Sequence, residues 1–444
     1  MRIRSALSSL AAVPRAESIG SFASSIDADW IRAALEATGT ASVRRRRLPA
    51  EQAVWMVIGM SLYRDRPIFD VVDSMDLALP GRGPLARSAV SAARARLGAE
   101  PLEHLFRSCG EAWGCRSADR ARWRDLAIYG ADGTTLRVPD TPANRAGFGA
   151  PRYGGGEASY PQARVVALFA LRNHAVVDAA LGPYTDGEAT LARSLWKSVP
   201  DRSVTLLDRN FLSASVLLGL QRGGAERHWI CPAKSNSKWK DVETLGKGDR
   251  LVEREVSPRA REQDPGLPKT WVMRAIKVER KGHRPRWLLT SLVDAKAYPA
   301  AEVVALYCER WEAELAFDEI KTEVLDREET IRSKSPELVR QEAWGLLLAY
   351  NLVRVQMERV ADQAKVEPTR ISFSWSLRIV TDEWMWDVWR APGAIPKRIT
   401  RLMERISRCI LPPRRRGRSY PRAVKIPSSS YPSRRHTAPK GGAK

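Results

Sequence analysis

Hydrophobic and polar positions divide the chain into stretches of different period. From 25 to 120 the apolar residues recur at helical spacing, in AEQAVWMVIGMSLY, PIFDVVDSMDLAL and SAVSAARARLG. From Trp123 the pattern shortens. Leu126, Ile128 and Tyr129 form an apolar run that reads as a buried strand ending at Asp132, bracketed by Gly130 and Gly133. ARVVALFAL and HAVVDAALG read as a hairpin turned at Arg172 and Asn173. GEATLARSLWKSV reads as a helix, Val204 to Leu207 as a strand running into Asp208, LSASVLLGLQRGG as a helix and HWICPAK as a strand. Residues 235 to 300 interrupt this series. They are rich in charge, Gly and Pro but hold alternating runs, TWVMRAIKV and RWLLTSLV, which predict a small β-rich insertion. Helices follow in YCERWEAELAFDEIK and SPELVRQEAWGLLLAYNLVRVQMERVADQ, the second apolar enough to pack under the sheet.

Chemistry concentrates in three places. Tyr307, Arg310, Glu314 and Lys321 are separated by two, three and six residues. At about 100° per residue they fall within an arc of roughly 60° on one helix face. One carboxylate, two cations and a phenol suit a phosphodiester, because a carboxylate binds a divalent metal while an Arg fork and a Lys ammonium hold phosphate oxygens. A solvated polar face would show the same residues. Asp132 and Asp208 each follow an apolar run; singly, each also reads as a turn Asp capping the next element. Three carboxylates converging on one site repel unless cations neutralise them. Two Mg²⁺ ions do so, and they also activate water and stabilise a leaving oxygen in phosphoryl transfer.

With these residues the chain resembles DDE transposases of the IS4 type. The helix carries that family's Y-(2)-R-(3)-E-(6)-K signature as Tyr307, Arg310, Glu314 and Lys321, while DGTTLRVPDTPAN and LLDRNF match the stretches around its first and second catalytic Asp. The segment from Trp30 through RRRRLPAEQAVWMVIGMSLYRD to Trp113 is similar to the domain that precedes the core there, so the resemblance covers most of residues 22 to 365. Asn210 departs mildly from it, many relatives having a small residue after Asp-Arg. The resemblance implies an α/β, ribonuclease H-like core, a mixed sheet flanked by helices whose first and fourth strands lie side by side and bring Asp132 and Asp208 together. It implies metal binding and catalysis by Asp132, Asp208 and Glu314, with two Mg²⁺ ions or Mn²⁺ as a substitute. Phosphate contacts are implied for Tyr307, Arg310 and Lys321, with Arg209 as a further candidate beside Asp208. Trp287 matches the family's WLL(L)T stretch, whose Trp stacks on a flipped base; packing within the insertion is the other reading, and the chain has 15 Trp in all. Trp229 and Trp271 read as packing residues.

The expected division is 22–120 for a helical N-terminal DNA-binding domain, 121–234 and 301–375 for the two parts of the core, 235–300 for the insertion, 376–411 for C-terminal helices and 412–444 for a basic disordered tail. Arg94 and Arg96, after the loop PGRGP, fit a helix-turn-helix or the solvated edge of a bundle equally well. Arg44 to Arg47 form a cationic run that is either solvated or a phosphate clamp. Trp384, Trp386 and Trp389 suit a packing or subunit contact. The tail beyond Pro412 contains no acid and cannot bury a core.

Composition narrows the partners. In 444 residues the net charge is +22, and the pI is near 10.2, which points to a polyanion and favours double-stranded DNA, since spread Lys and Arg contacts release counterions. A membrane surface is the competitor, but no stretch approaches about 18 apolar residues. The opening MRIRSALSSLAAVPRA has a short patch broken by Ser8 and Ser9 and reads as a flexible terminus rather than a signal. Five scattered cysteines fit a reducing cytoplasm, and five histidines form no cluster. The expectation is a cytoplasmic, nucleoid-associated transposase acting as a homodimer on transposon ends and target. A catalytically inactive DNA-binding relic or repressor, a nuclease without strand transfer and a structural nucleoid protein are the alternatives.

Overall fold

The computed structural model of the chain describes residues 26–41, 47–79, 85–153, 156–279, 285–326, 330–387 and 395–412. The opening segment, Arg44 to Arg46, the loop PGRGP, Arg284, Trp389 and the tail lie outside them, as do the side chains of Trp384 and Trp386.

The helical N-terminal region contains α1 (Ala28–Ala37), α2 (Ala50–Leu62), α3 (Ile68–Ser74), α4 (Arg87–Leu97) and α5 (Glu100–Gly110), which runs on through a π turn at Glu111–Cys115. The Asp27 carboxylate caps α1 by accepting from the Asp29 N–H. Trp30 and Trp113 meet with ring centroids 6.2 Å apart. Nearly every residue of α2 is buried, which suits a helix that is apolar all round. It lies against the longest helix, Pro336–Ala364, with Gly345 of that helix set where any side chain would strike Val57. Arg94 is buried, donating to Gln341, Ser333 and the Leu338 carbonyl. It therefore ties α4 to the long helix, and a DNA-reading role for this side chain is ruled out by its burial.

The core is a nine-stranded sheet. Its strands are β1 (Ala127–Arg137), β2 (Gln162–Ala170), β3 (Ala175–Pro183), β4 (Ser203–Leu207), β5 (Arg227–Pro232), β6 (Lys240–Gly246), β7 (Asp249–Glu255), β8 (Thr270–Val278) and β9 (Arg286–Thr290). They lie in the order β3-β2-β1-β4-β5-β9-β8-β7-β6. β2 is antiparallel to both β1 and β3, while β1, β4 and β5 run parallel. Those first five strands make the ribonuclease H-like arrangement. The insertion strands extend the same sheet through β9, which pairs antiparallel with β5. Fully buried Arg274 of β8 secures them, reaching Asp249 at 2.7 and 2.6 Å and the Tyr298 carbonyl at 2.6 Å, just ahead of the next helix. Trp229 and Trp271 are buried together, as expected.

Two elements differ from the sequence reading. β1 runs on to Arg137, so Asp132 lies at its middle rather than at its end. What ends there is the parallel ladder with β4, whose last pair is Ala131 with Leu207, whereas pairing with β2 continues to Arg137. The segment after β3 forms α6 (Glu188–Arg193) and then a separate 3₁₀ turn at Trp196–Ser198, shorter than the single helix expected. α7 (Ala214–Arg222) follows β4 and packs on β5, leading the chain out to the insertion.

Close approach of α5 to the sheet makes a stability test. A Cβ on Gly110 would lie 2.3 Å from the Val177 carbonyl oxygen, whereas one on Gly219, inside α7, meets only Trp196 at 3.8 Å. Gly110→Ala should lose about 1–3 kcal/mol in thermal or denaturant unfolding. Gly219→Ala should gain about 0.5–1 kcal/mol from helix propensity.

Candidate active site

The β1–β4 ladder places its next two residues, Asp132 and Asp208, side by side on strands about 4.8 Å apart. Beyond Leu207 the backbone leaves the sheet, and both acids are half-buried. The Asp208 end is fixed on three sides. Its carbonyl accepts from the Phe211 N–H at 3.0 Å and from the Cys231 thiol at 3.3 Å, and the Tyr307 hydroxyl donates to the Leu207 carbonyl at 3.2 Å. Burial pushes the Cys231 thiol well up, and nearby Asp208 adds to the shift, so it stays a neutral donor.

Glu314 arrives from a helical run that changes winding twice. α8 (Ala300–Tyr307) tightens into a 3₁₀ turn at Cys308–Arg310, α9 (Trp311–Asp318) is regular, and a π turn follows at Glu319–Val324. The 100° step therefore holds only over part of the signature. The 3₁₀ turn brings side chains three apart nearly into line, which sets Tyr307 beside Arg310. Arg310 pairs with Glu314 one turn on. Burial works against the Arg310 charge, but Tyr307, Glu314 and Asp132 outweigh it and hold the guanidinium more firmly protonated. Burial raises the Asp132 carboxyl to about 6, against the Gly133 N–H bond at 2.9 Å and the Arg310 charge, while Glu314 and Glu188 push it the same way. Asp132, Asp208, Tyr307, Arg310 and Glu314 thus lie within electrostatic reach of one another, with Arg310 paired to Glu314 and opposing the rise at Asp132.

Glu188 went unnoticed in the sequence. It opens α6, pairs with Arg164 at 3.0 Å, and lies where any side chain at position 133 would sit, 2.7 Å from its carboxyl carbon. This accounts for a glycine directly after Asp132. No spacing signal marks Glu188, because its proximity comes from packing of α6 on β1 and β2.

The other candidates lie at varied distance from these acids. Lys321 is half-buried within the π turn. Arg209 is exposed on the turn directly after Asp208. Trp287 is partly buried on β9, its ring faced by the Arg250 guanidinium at 4.9 Å and met edge-on by Trp239 at 5.7 Å. Among the described residues no three His, Cys, Asp or Glu side chains are gathered closely enough to hold an ion, Glu314 being engaged by Arg310. The donor set of three carboxylates nonetheless suits a hard divalent cation.

A mixed sheet of this order, with acids at the end of its central parallel pair, defines the catalytic domain of a DDE transposase. The model for the transposase DDE domain matches residues 123–352, and that for the insertion element 4 transposase N-terminal domain matches residues 16–107. The chain is 39% identical over 417 residues to the transposase InsG for insertion sequence element IS4 of Escherichia coli (strain K12), spanning 94% of this chain and 93% of that one. It is 37% identical over 225 residues to the putative transposase InsZ of the same organism, 50% of this chain and 72% of the other. Among solved structures, the piggyBac transposase synaptic complex with hairpin DNA gives a TM-score of 0.43 at 11% identity, over 90% of this chain and 87% of that one. The chain belongs to the IS4 family of DDE transposases. No described helix is long and apolar enough to cross a membrane.

The raised Asp132 carboxyl has a measurable consequence. An acid whose folded pKa lies above its unfolded value is most favourable to folding when protonated, and that contribution is lost as pH rises through about 6. Without divalent metal, Asp132→Asn should therefore be more stable than wild type at pH 8, by on the order of 2 kcal/mol. The gain should shrink as pH falls from 6 toward 4, read by chemical denaturation at each pH. Added Mn²⁺ should stabilise wild type and not the variant.

Proposed function

We propose that this transposase binds the terminal inverted repeats of its insertion sequence and carries out metal-dependent DNA cleavage and strand transfer at the Asp132, Asp208 and Glu314 site. The observation that carries this reading is the meeting of Asp132 and Asp208 at the end of the β1–β4 ladder, with Glu314 joined to them through Arg310. The three carboxylates would hold two Mg²⁺ ions, with Mn²⁺ as a substitute. Bound there, the ions supply activation of the attacking hydroxyl and stabilisation of the leaving oxygen.

The chain's own groups divide the remaining work. Asp132 must lose its proton before it can ligate, which makes the site sensitive to pH near 6. Arg310 is paired with Glu314 and coupled to Asp132, so a DNA phosphate can draw its guanidinium away as the acids take up cations. Tyr307 keeps the Asp208 end of β4 in place through the Leu207 carbonyl and lies close enough to Arg310 to reach the same phosphate. Lys321 and the exposed Arg209 serve as further phosphate contacts. Trp287 offers an indole for a flipped base, in exchange for the Arg250 guanidinium now over its ring. Water attacks first and frees a 3′-OH; that 3′-OH then attacks a second strand. Two ends must be held together, so the working unit is a homodimer on DNA.

The test uses a plasmid carrying the DNA that natively flanks the reading frame. Wild type should cut at the flanking repeats only with Mg²⁺ or Mn²⁺. Glu314→Gln should lose cleavage by on the order of 10³-fold or more while binding the same DNA within about twofold. Cleavage at the wild-type rate by that variant would refute the site, and binding without any cleavage by wild type would point to a DNA-binding relic.

A further inference from the structure

The catalytic helical run is held from its other side by a partly buried ionic network that the chemistry above does not use. At helical spacing Glu309, Glu312 and Glu319 share a face roughly opposite Arg310 and Glu314. Each is gripped. Arg172, in the turn between β2 and β3, donates to both oxygens of Glu309 at 2.9 Å and to the Ala121 carbonyl at 3.0 Å. His174, two residues on and only 2% exposed, bonds Glu312 through Nε2 at 2.8 Å and meets Arg354 through Nδ1 at 2.7 Å. Arg354 also pairs with Glu319, and Tyr350 donates to that carboxylate at 2.8 Å. Burial opposes the Glu319 charge, yet Arg354 and His174 hold its carboxyl down to about 2, so this carboxylate stays ionised at any working pH.

The grips coincide with the changes in winding. Glu309 lies inside the over-wound 3₁₀ turn, and Glu319 opens the under-wound π turn. They bracket α9, the regular segment that carries Glu314. The long helix, α10 (Pro336–Ala364), closes the loop: Asn351 pairs with both the N–H and the carbonyl of Val176 in β3, at 2.9 and 2.7 Å, beside Tyr350 and one turn before Arg354. His174 holds a left-handed backbone, φ 63°, which keeps it at the corner of the turn.

We propose that Arg172, His174 and Arg354 are positioning residues that set the rotation and height of α9, and so the placement of Glu314 against Asp132 and Asp208. The proposal rests on the transposase reading for what Glu314 does. Rotation of an α-helix by one residue moves a side chain by 100°, and a misplacement of about 1 Å can cost about 100-fold in rate. Fixing both ends of an eight-residue segment to one rigid helix and one hairpin removes that freedom.

The test is made on the full chain with His174→Asn, since Asn tolerates the left-handed turn but is too short to reach Glu312 and Arg354 together. Expected results are faster amide hydrogen exchange across Trp311–Asp318, Mn²⁺ affinity weakened about tenfold by water-proton relaxation, and cleavage slowed about 10- to 100-fold with DNA binding kept. Arg172→Ala should act in the same direction, with part of the loss recovered in Arg172→Lys, and it serves if His174→Asn fails to fold. Unchanged exchange and unchanged Mn²⁺ affinity in a folded variant would overturn the clamp, whatever the melting temperature does. If wild type proves unable to cut any DNA, the proposed function falls, while exchange and Mn²⁺ affinity still decide the clamp.

Discussion

Everything at the site depends on the parallel pairing of β1 with β4 and on where it stops. Five register pairs, from Ala127 with Ser203 to Ala131 with Leu207, hold the two strands through buried residues. At the next residue β4 turns away while β1 continues against β2. A carboxylate is then left beside another carboxylate, each with firm backbone behind it and half-buried. Pairing one residue longer would carry Asp208 into the ladder; pairing one residue shorter would loosen it from Asp132.

Such an arrangement is costly, and the surrounding residues show how the cost is met. Asp132 is half-buried near Glu314 and Glu188, and its carboxyl rises to about 6. Arg310 lies among the acids and Arg164 neutralises Glu188, so the site is poised for cations without them. The raised Asp132 carboxyl, with Glu314 and Glu188 near it, leaves the site favourable to added positive charge. Below it, the long helix from Pro336 to Ala364 works as a chassis. Several of its buried polar residues reach distant parts of the molecule: Gln341 and Glu342 the N-terminal helices, Asn351 the β3 strand, Arg354 the helical run that carries Glu314. Buried charges are retained only when paired, and the pairs of Glu342 with Arg64 and Arg94 and of Arg354 with Glu319 join elements distant in sequence.

Much of this was legible in the residues. The apolar runs ahead of Asp132 and Asp208, the hairpin turning at Arg172 and Asn173, and the alternation in TWVMRAIKV all formed strands, because short continuous apolar runs suit strands buried on both faces and an alternating run suits one buried mainly on one face. The Tyr307, Arg310 and Glu314 spacing did converge. It did so through a 3₁₀ turn rather than a uniform α-helix, with Glu309 in that turn paired to Arg172 and Glu319, at the start of the π turn, paired to Arg354. Asp132 proved to be mid-strand, since local pattern reports burial and not which neighbour a strand loses. Arg94 had looked equally suited to a helix-turn-helix and to a solvated bundle edge, and the long helix overturned both by burying it against Gln341 and Ser333.

By itself, then, the chain determined its elements and the chemistry they carry: residue type and period are local properties, set by side chains within a few positions of one another. Those local signals were enough to specify three acids, two cations and a phenol on elements of the right kind. Tertiary structure alone decided that insertion strands would extend the catalytic sheet, that Glu188 would lie over Gly133, and that His174 would join Glu312 to Arg354. These are contacts between residues tens to hundreds of positions apart. They arise from how buried faces and buried charges find partners once the chain is folded, and no spacing along the sequence encodes them.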